Sequence, residues 1–418
     1  MKPYTLCRKK SPFEIAFTSA HSHIQLAVEI EESNKVTHLL DQIQQNYIPL
    51  NIYDKGDELH YKKGCSPFIQ MPNTIKNCED ACNWIFDHKH PDEIGLSSLA
   101  YNDKFIALTT NHMISDGGLY KSVVELLQND STLKYSSPLP LPPDEAFYND
   151  INNINKDVYA VYPETLSNVV SKYEKPSKKY GEECRYKIDV IDLNKLLSKG
   201  NNQKEKPSFN ITDKLWTSLL LSMAAYNGKI DRFGMATCID MRSRTNLALT
   251  WSNCCFYTIL SHKAPVIPNQ TVKDIAQALR KDMQKRLENG EMPSYLKINE
   301  CYYDNKGLSA EVSNVGTMVL KKPIKDAWMQ IRFNEKSNPS VISLLTFGVK
   351  NEKRNDLILR LRYTQCRMRD EEADVILNAI KHSIMNIPLD TKVEDAFDEL
   401  RKFQAEYSAS KRYSLKFT

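Results

Sequence analysis

Residues 111–118 read Asn-His-Met-Ile-Ser-Asp-Gly-Gly, and His112, Asp116 and Gly117 are residue types suited to an acyl-transfer site. A neutral imidazole has an ordinary pKa close to working pH, so His112 suits removal of a proton from an attacking hydroxyl or amine. A carboxylate four residues on can cap a following helix, and a glycine beside it lets the backbone turn tightly. With 9 His and 13 Gly in 418 residues, the pattern His-x-x-x-Asp-Gly arises by chance in about two of a hundred such chains. Its context therefore has to carry the argument.

The flanking residues put the motif at a strand end. Residues 97–101 and 104–110 form two β runs joined at Asn102-Asp103, and Phe105 to Thr110 is nearly continuous, as in a strand covered on both faces. His112 follows that strand, and Leu119, Val123, Leu126 and Leu127 recur at helical spacing after Gly117-Gly118. A histidine in this position can point into a cleft. The plainer alternative is a buried histidine bonded to backbone, with Asp116 capping the helix.

The elements needed to hold such a site divide the chain into two lobes, the default for 418 residues. The first, residues 1–130, has a strand at 23–30, a helix capped by Ser33 with Val36, Leu39, Leu40, Ile43 and Tyr47 on one side, and a short helix at 79–87. Residues 131–180 are a Pro-rich crossover containing Pro138, Pro140, Pro142 and Pro143, with one short helix near 164–173. The second lobe, residues 181–418, opens with a strand at 185–190 and a helix at 213–226 capped by Thr212. A helix follows from a Thr271/Asp274 capping box and closes at Gly290; strands are predicted at 235–239, 254–261, 315–319, 329–333, 341–347 and 357–363. Two helices end the chain, one from about 371 and one from 392, where Thr391 and Glu394 have capping-box spacing. The predicted class is a mixed α/β (α+β) fold.

Bulk composition narrows the partners. A hydrophobic share of 41% with 26% charged residues is that of a globular chain, and a net charge of +4 is too weak and dispersed for nucleic acid. The longest apolar segment, 215–226, is too short to span a bilayer, and the N-terminus has no apolar leader, so a cytoplasmic protein with no transmembrane segment is expected; one chain containing both lobes suggests a monomer. Ten cysteines form no Cys-x-x-Cys pair, which reads as reduced thiols. His21/His23 and His88/His90 read as strand alternation and helix-end clustering, and no metal site is expected.

His112-Met113-Ile114-Ser115-Asp116-Gly117 resembles the active-site motif of the chloramphenicol acetyltransferase-like superfamily of CoA-dependent acyltransferases and condensation domains. Ile239-Asp240-Met241-Arg242-Ser243-Arg244 is similar to its Asp-x-Arg-x-Arg segment, Ser252-Asn253 to its Gly-Asn step, and Ser313-Asn314-Val315-Gly316 to a Ser-Asn-hydrophobe-Gly strand start in alcohol acetyltransferases. Asn111 stands where many members carry a first histidine. The Asp-Phe-Gly-Trp-Gly segment of plant-type members is absent, Thr346-Phe347-Gly348 being its nearest remnant. The alcohol-acetyltransferase and polyketide-associated branches are therefore the nearer ones.

The resemblance implies two lobes, each a mixed sheet backed by helices, meeting at a tunnel where acyl-CoA and a small alcohol or amine acceptor reach His112. It makes His112 the general base and acyl-CoA a co-substrate, with no permanently bound cofactor. It gives Asp116 a structural role paired with an arginine, Arg242 first and Arg244 second, and makes Gly117 the tight turn beside the tunnel. Ser313 and Asn314 are candidate substrate-binding donors near the tetrahedral centre. Lys321, Lys322 and Lys325 are either contacts for CoA phosphates or a solvated charge run, the latter being the default. Two alternatives stand beside this reading: a carrier-protein-dependent condensation-type enzyme, and a non-catalytic scaffold of the same fold.

Overall fold

The computed structural model describes residues 6–129, 139, 141–153, 169–172, 183–199, 211–231, 233–242, 257–264, 267–297, 310–334 and 342–415. Most of the 131–180 crossover, including most of its expected helix, lies outside these residues.

The first part of the chain forms β1 (Leu6–Lys9), α1 (Pro12–Ala20), β2 (His23–Ile30), α2 (Val36–Asn46), β3 (Ile52–Lys55), β4 (Glu58–Tyr61) and β5 (Phe68–Gln70). Next come α3 (Cys78–His88), β6 (Ser97–Tyr101), β7 (Phe105–Asn111) and α4 (Gly117–Asn129), then the short α5 (Pro143–Ala146) and α6 (Tyr148–Asn153). The rest runs β8 (Arg185–Asp192), α7 (Leu193–Lys199), α8 (Ile211–Asn227), β9 (Phe233–Asp240), β10 (Tyr257–Ala264), α9 (Val272–Glu288), β11 (Ala310–Val319) and β12 (Ile324–Arg332). It closes with β13 (Ile342–Lys350), β14 (Asn355–Tyr363), α10 (Asp370–Asn386) and α11 (Val393–Ser410).

These elements give the expected mixed α/β architecture. A five-stranded sheet runs β12-β2-β7-β6-β5, a six-stranded sheet runs β10-β9-β11-β13-β14-β8, and β1-β4-β3 form a small third sheet. Residues 324–332, placed in the second lobe by chain order, pair antiparallel with β2 in the first sheet, Trp328 opposite Ala27 and Arg332 opposite His23.

Period-two alternation assigns the two faces of the larger sheet. On β14, Leu357, Leu359 and Leu361 pack against the helices, beside Leu215, Trp216 and Leu219 of α8. The opposite face turns toward the other sheet. There Phe347, Val349 and Ile358 join Leu26, Val28 and Leu108 in one apolar core, and Trp328 meets Phe347 edge-on with ring centroids 5.6 Å apart. Farther along the same face the residues become polar, and a cavity replaces the core.

Several helix starts differ from expectation. Ser33 begins a 3-10 turn (Ser33–Lys35), so α2 starts at Val36 after Lys35, without a side-chain cap. Thr212 lies inside α8 and accepts a hydrogen bond from Asn314 Nδ2 at 3.1 Å, which takes its hydroxyl away from capping. At α11 the cap position is Lys392, because Val393 N docks on Gln270 O at 2.8 Å and sets the start one residue past the Thr391/Glu394 box. The Thr271/Asp274 box forms as expected, and Gly290 follows its helix with φ 72°. β11 begins five residues before the predicted 315, since Glu311 and Ser313 interrupt the apolar pattern there.

Candidate active site

His112 follows β7, every residue of which is buried. Its backbone N donates to Ser22 O at 2.8 Å, which ties the loop to the chain before β2. Asn111 is structural: its Nδ2 donates to Asp92 Oδ2 at 3.1 Å and its Oδ1 accepts from Met113 N at 3.1 Å. Behind the loop, Thr110 Oγ1 sits within 3.0 Å of the Tyr47, Tyr120 and Ser97 hydroxyls, and Tyr47 also donates to Ser115 Oγ at 3.1 Å. This buried network joins α2, α4, β6 and β7 to the turn carrying the histidine. A satisfied network of this kind fixes geometry as well as adding stability.

The imidazole lies between two aromatic rings, 5.3 Å from Phe17 and 6.1 Å from Phe333 by centroids. It is 7% exposed and lines the cavity between the sheets. Burial lowers its pKa below the ordinary value, opposed by backbone carbonyls at His112 and Ser115 and by the charges of Asp116 and Glu311. Neutral histidine is the form a general base requires.

Asp116 makes both the helix cap of the plainer reading and the arginine pair that the resemblance implies. Its Oδ1 accepts from Leu119 N at 2.8 Å, capping α4, and from Arg242 Nη1 at 2.9 Å, bridging the two sheets' chains. Arg242 also reaches Asp240, with Nη1 at 3.3 Å and its backbone N at 2.9 Å from Oδ1. Burial first, and the facing Asp116 next, raise the pKa of Asp240. Arg244 and Ser252-Asn253 lie outside the described residues. Gly117 is next to the second lobe: a Cβ there would be 2.9 Å from Val315 Cγ2. Gly118, which the sequence offers only as the second glycine of a pair that relaxes the backbone, faces the Asp240–Arg242 pair. A Cβ on it would collide with Asp240 Oδ2 and come 2.7 Å from Arg242 Nη1.

Ser313 and Asn314 both line the cavity. They lie within β11, beside a bulge between Asn314 and Thr317, rather than at a strand start. Gly316, with φ 86°, makes that irregularity possible. The Asn314 amide braces the backbone, donating to Thr212 and accepting from Gly316 N at 3.0 Å. Ser313 faces Cys238, whose thiol pKa is pushed up by burial. Lys322 and Lys325 pair with Glu31 and Glu29 and line no part of the cavity; Lys321 lines none of it either. Of the histidine pairs, His88 stacks on Trp84 and His90 approaches Pro67 O at 3.1 Å. Cys7, Glu58 and His60 bring ligand-type atoms within 4.8 Å of one another on the small sheet, away from the cavity.

Sequence reasoning missed the polar floor of the cavity. Glu311, Ser343, Arg362 and Tyr186 lie in one cross-strand row over β11, β13, β14 and β8. Ser343 Oγ donates to Glu311 Oε1 at 2.7 Å, Arg362 Nη2 is 3.7 Å from the same oxygen, and the Arg362 guanidinium lies 4.4 Å from the Phe333 ring centroid. The adjoining row is Ser313, Leu345, Arg360 and Ile188. Its signal was legible: Leu357-Ile358-Leu359-Arg360-Leu361-Arg362 puts two arginines on one face of an apolar strand. α1, which supplies Phe17, was equally legible. Ser11-Pro12-Phe13-Glu14 combines a capping box with proline at the first helical turn, and both box hydrogen bonds form.

No protein-family model matches the sequence, and no curated protein does. Solved structures match over nearly the whole chain at low identity. Polyketide synthase associated protein 5 from Mycobacterium tuberculosis aligns with TM-score 0.64 and 13% identity, over 91% of this chain and 98% of that one. TRI3 trichothecene 15-O-acetyltransferase from Fusarium sporotrichioides gives TM-score 0.62 and 12% identity, over 91% and 95%. A starter condensation domain of rhizomide synthetase, in complex with C8-CoA and Leu-SNAC, gives TM-score 0.64 and 9% identity, over 93% and 96%. The chain thus has the two-lobed fold of condensation domains and CoA-dependent acyltransferases.

Proposed function

We propose that this protein is an acyltransferase, moving an acyl group from acyl-CoA to a hydroxyl or amine of a small acceptor. The observation that carries the reading is the position of His112: a desolvated imidazole lining a cavity shared by both sheets, with its turn held by the Asp116–Arg242 bridge. His112 takes the acceptor proton as oxygen or nitrogen attacks the thioester carbonyl carbon. The C–S bond breaks as the tetrahedral species collapses, and the departing thiolate receives that proton from the imidazolium. Thiolate is a good leaving group, so the step needs no acyl-enzyme. A positioned base supplies roughly 10²–10⁴ in rate, and alignment of the two substrates adds to it.

Asp116, Arg242, Gly117 and Gly118 hold the turn, and the Ser313 hydroxyl is the candidate donor for the oxyanion. No helix among the described residues is long and apolar enough to cross a membrane. A monomer acting in the cytoplasm, with acyl-CoA as co-substrate and no resident cofactor, goes with this reading. The test is acceptor-dependent thiol release from acetyl-CoA. His112→Ala should abolish it with the circular-dichroism spectrum unchanged, and undiminished release in that variant rejects the general-base role.

A condensation domain matches at TM-score 0.64, which favours a second reading: the same chemistry with a carrier-bound thioester as donor. Turnover with a phosphopantetheinyl carrier and none with free CoA esters would select it. A non-catalytic scaffold predicts no stabilisation by CoA or acyl-CoA in a thermal-shift titration.

A further inference from the structure

Arg360 is 3% exposed and lines the cavity that His112 lines. Burial pushes its pKa down to about 10, which still leaves it cationic at neutral pH. Its row supplies no acid, only Ser313, Leu345 and Ile188. The titratable groups within reach come from three other elements: the phenol of Tyr186 on β8, which favours the cation, Arg332 on β12, which repels it and is itself paired with Glu183 at 2.9 Å, and Glu79 on α3, which attracts it from beyond ion-pair distance. No carboxylate among the described residues lies within 4.0 Å of it. Nη1 donates to Ile331 O at 2.6 Å, and the guanidinium carbon lies 3.5 Å from the Tyr186 ring centroid, so both position and plane are fixed. Nε is buried and has no hydrogen-bond partner among the described residues.

A buried cation without a carboxylate beside it is costly to maintain, and the planar fork of a guanidinium held in place matches the two oxygens of a carboxylate. Arg362, one row away, shows the contrast: it has Glu311 and Ser343 beside it.

We propose that Arg360 binds a carboxylate carried by one of the two substrates, so that the cavity at His112 selects a carboxylate-bearing acyl donor or acceptor. This rests on the acyl-transfer reading above. The carboxylate belongs either to the acyl chain, as in a dicarboxylic monothioester, or to the acceptor, as in a hydroxy acid.

Calorimetric titration separates the two sources. One arm compares glutaryl-CoA with valeryl-CoA; the other compares 4-hydroxybutyrate with 4-hydroxybutyramide in the presence of CoA. The expected result is a preference of about tenfold or more for the carboxylate in one arm, reduced to about twofold or less in Arg360→Met. Arg360→Gln serves as a second neutral variant if the melting temperature shows that Arg360→Met does not fold. Indifference in both arms, or a preference that survives neutralisation, overturns the proposal. So does a fall in affinity for CoA alone, which would make Arg360 a phosphate contact. If both arms are indifferent while His112-dependent thiol release from acetyl-CoA persists, the carboxylate site fails and the acyl-transfer reading stands. Absence of both acyl-CoA binding and thiol release would reject the two together.

Discussion

Burial holds the His112 imidazole below the ordinary histidine pKa of 6.5, so the neutral base persists into mildly acidic solution. The acid limb of kcat/KM against pH should therefore fall below 6.5, with rates flat above it. The same depression links to stability. A histidine that resists protonation when folded contributes fully above 6.5, and that contribution is lost as pH falls through the lower folded value. The melting temperature of the wild type should fall relative to that of His112→Gln as the pH drops through that range. A wild type that instead gains on the variant in the acid would show that the ring is not desolvated.

Asp116 and Arg242 make a second residue-scale prediction. Removing one partner of a desolvated pair costs about 3–5 kcal/mol, and the two partners should not cost the same. Asp116→Ala leaves Arg242 with Asp240 still 3.3 Å away, which cushions the loss. Arg242→Met leaves two carboxylates facing one another, the arrangement that already raises the Asp240 pKa. Urea unfolding should place Arg242→Met as the more destabilised variant, and the reverse order would mean that the Asp116 cap on α4 outweighs the bridge. The motif's own sequence offered the cap and the family resemblance implied the arginine, and neither revealed that both tasks are done at once, because Arg242 is remote in the chain.

Among the elements, α4 sets the tightest constraint. Glycine to alanine within a helix ordinarily stabilises by about 1 kcal/mol. Gly118→Ala should instead lower the melting temperature and the activity together, since its Cβ meets the Asp240–Arg242 pair. Gly117→Ala crowds the Val315 side chain and meets Met329 Sδ at an ordinary 3.6 Å, so the double variant Gly117→Ala, Val315→Ala should recover most of what the single one loses. Non-recovery would place the strain in the backbone. How much could be read from sequence varies by element. β7 and α4 announce themselves through continuous and 3.6-period apolar patterns. β11 does not, because Glu311 and Ser313 occupy the face that lines the cavity, where function replaces the hydrophobic alternation. Thr212 looked like a cap because hydroxyls before helices often are. Its partner, Asn314, lies far along the chain and could not be seen locally.

At the scale of the whole molecule, the largest surprise is β12. Nothing in residues 324–332 reveals that they complete a sheet begun by residues 23–30, since strand partners carry no local signature. Expression of residues 1–180 alone should therefore yield an unfolded or aggregating product, with β2 lacking the neighbour that covers its edge. Co-expression with residues 181–418 should restore helical and strand signals in circular dichroism. A well-dispersed amide spectrum from the first piece alone would contradict this.

β12 also limits how the molecule can move. It follows β11 after only residues 320–323, and β11 pairs with strands on both sides in the middle of the larger sheet. Swinging the halves apart like a clam would tear hydrogen bonds from one ladder or the other. If the chain transfers acyl groups as proposed, both reactants would have to reach His112 without such a parting of the halves. For a molecule laced together in this way, the standing walls of the cavity, more than any closing motion, would decide who is admitted.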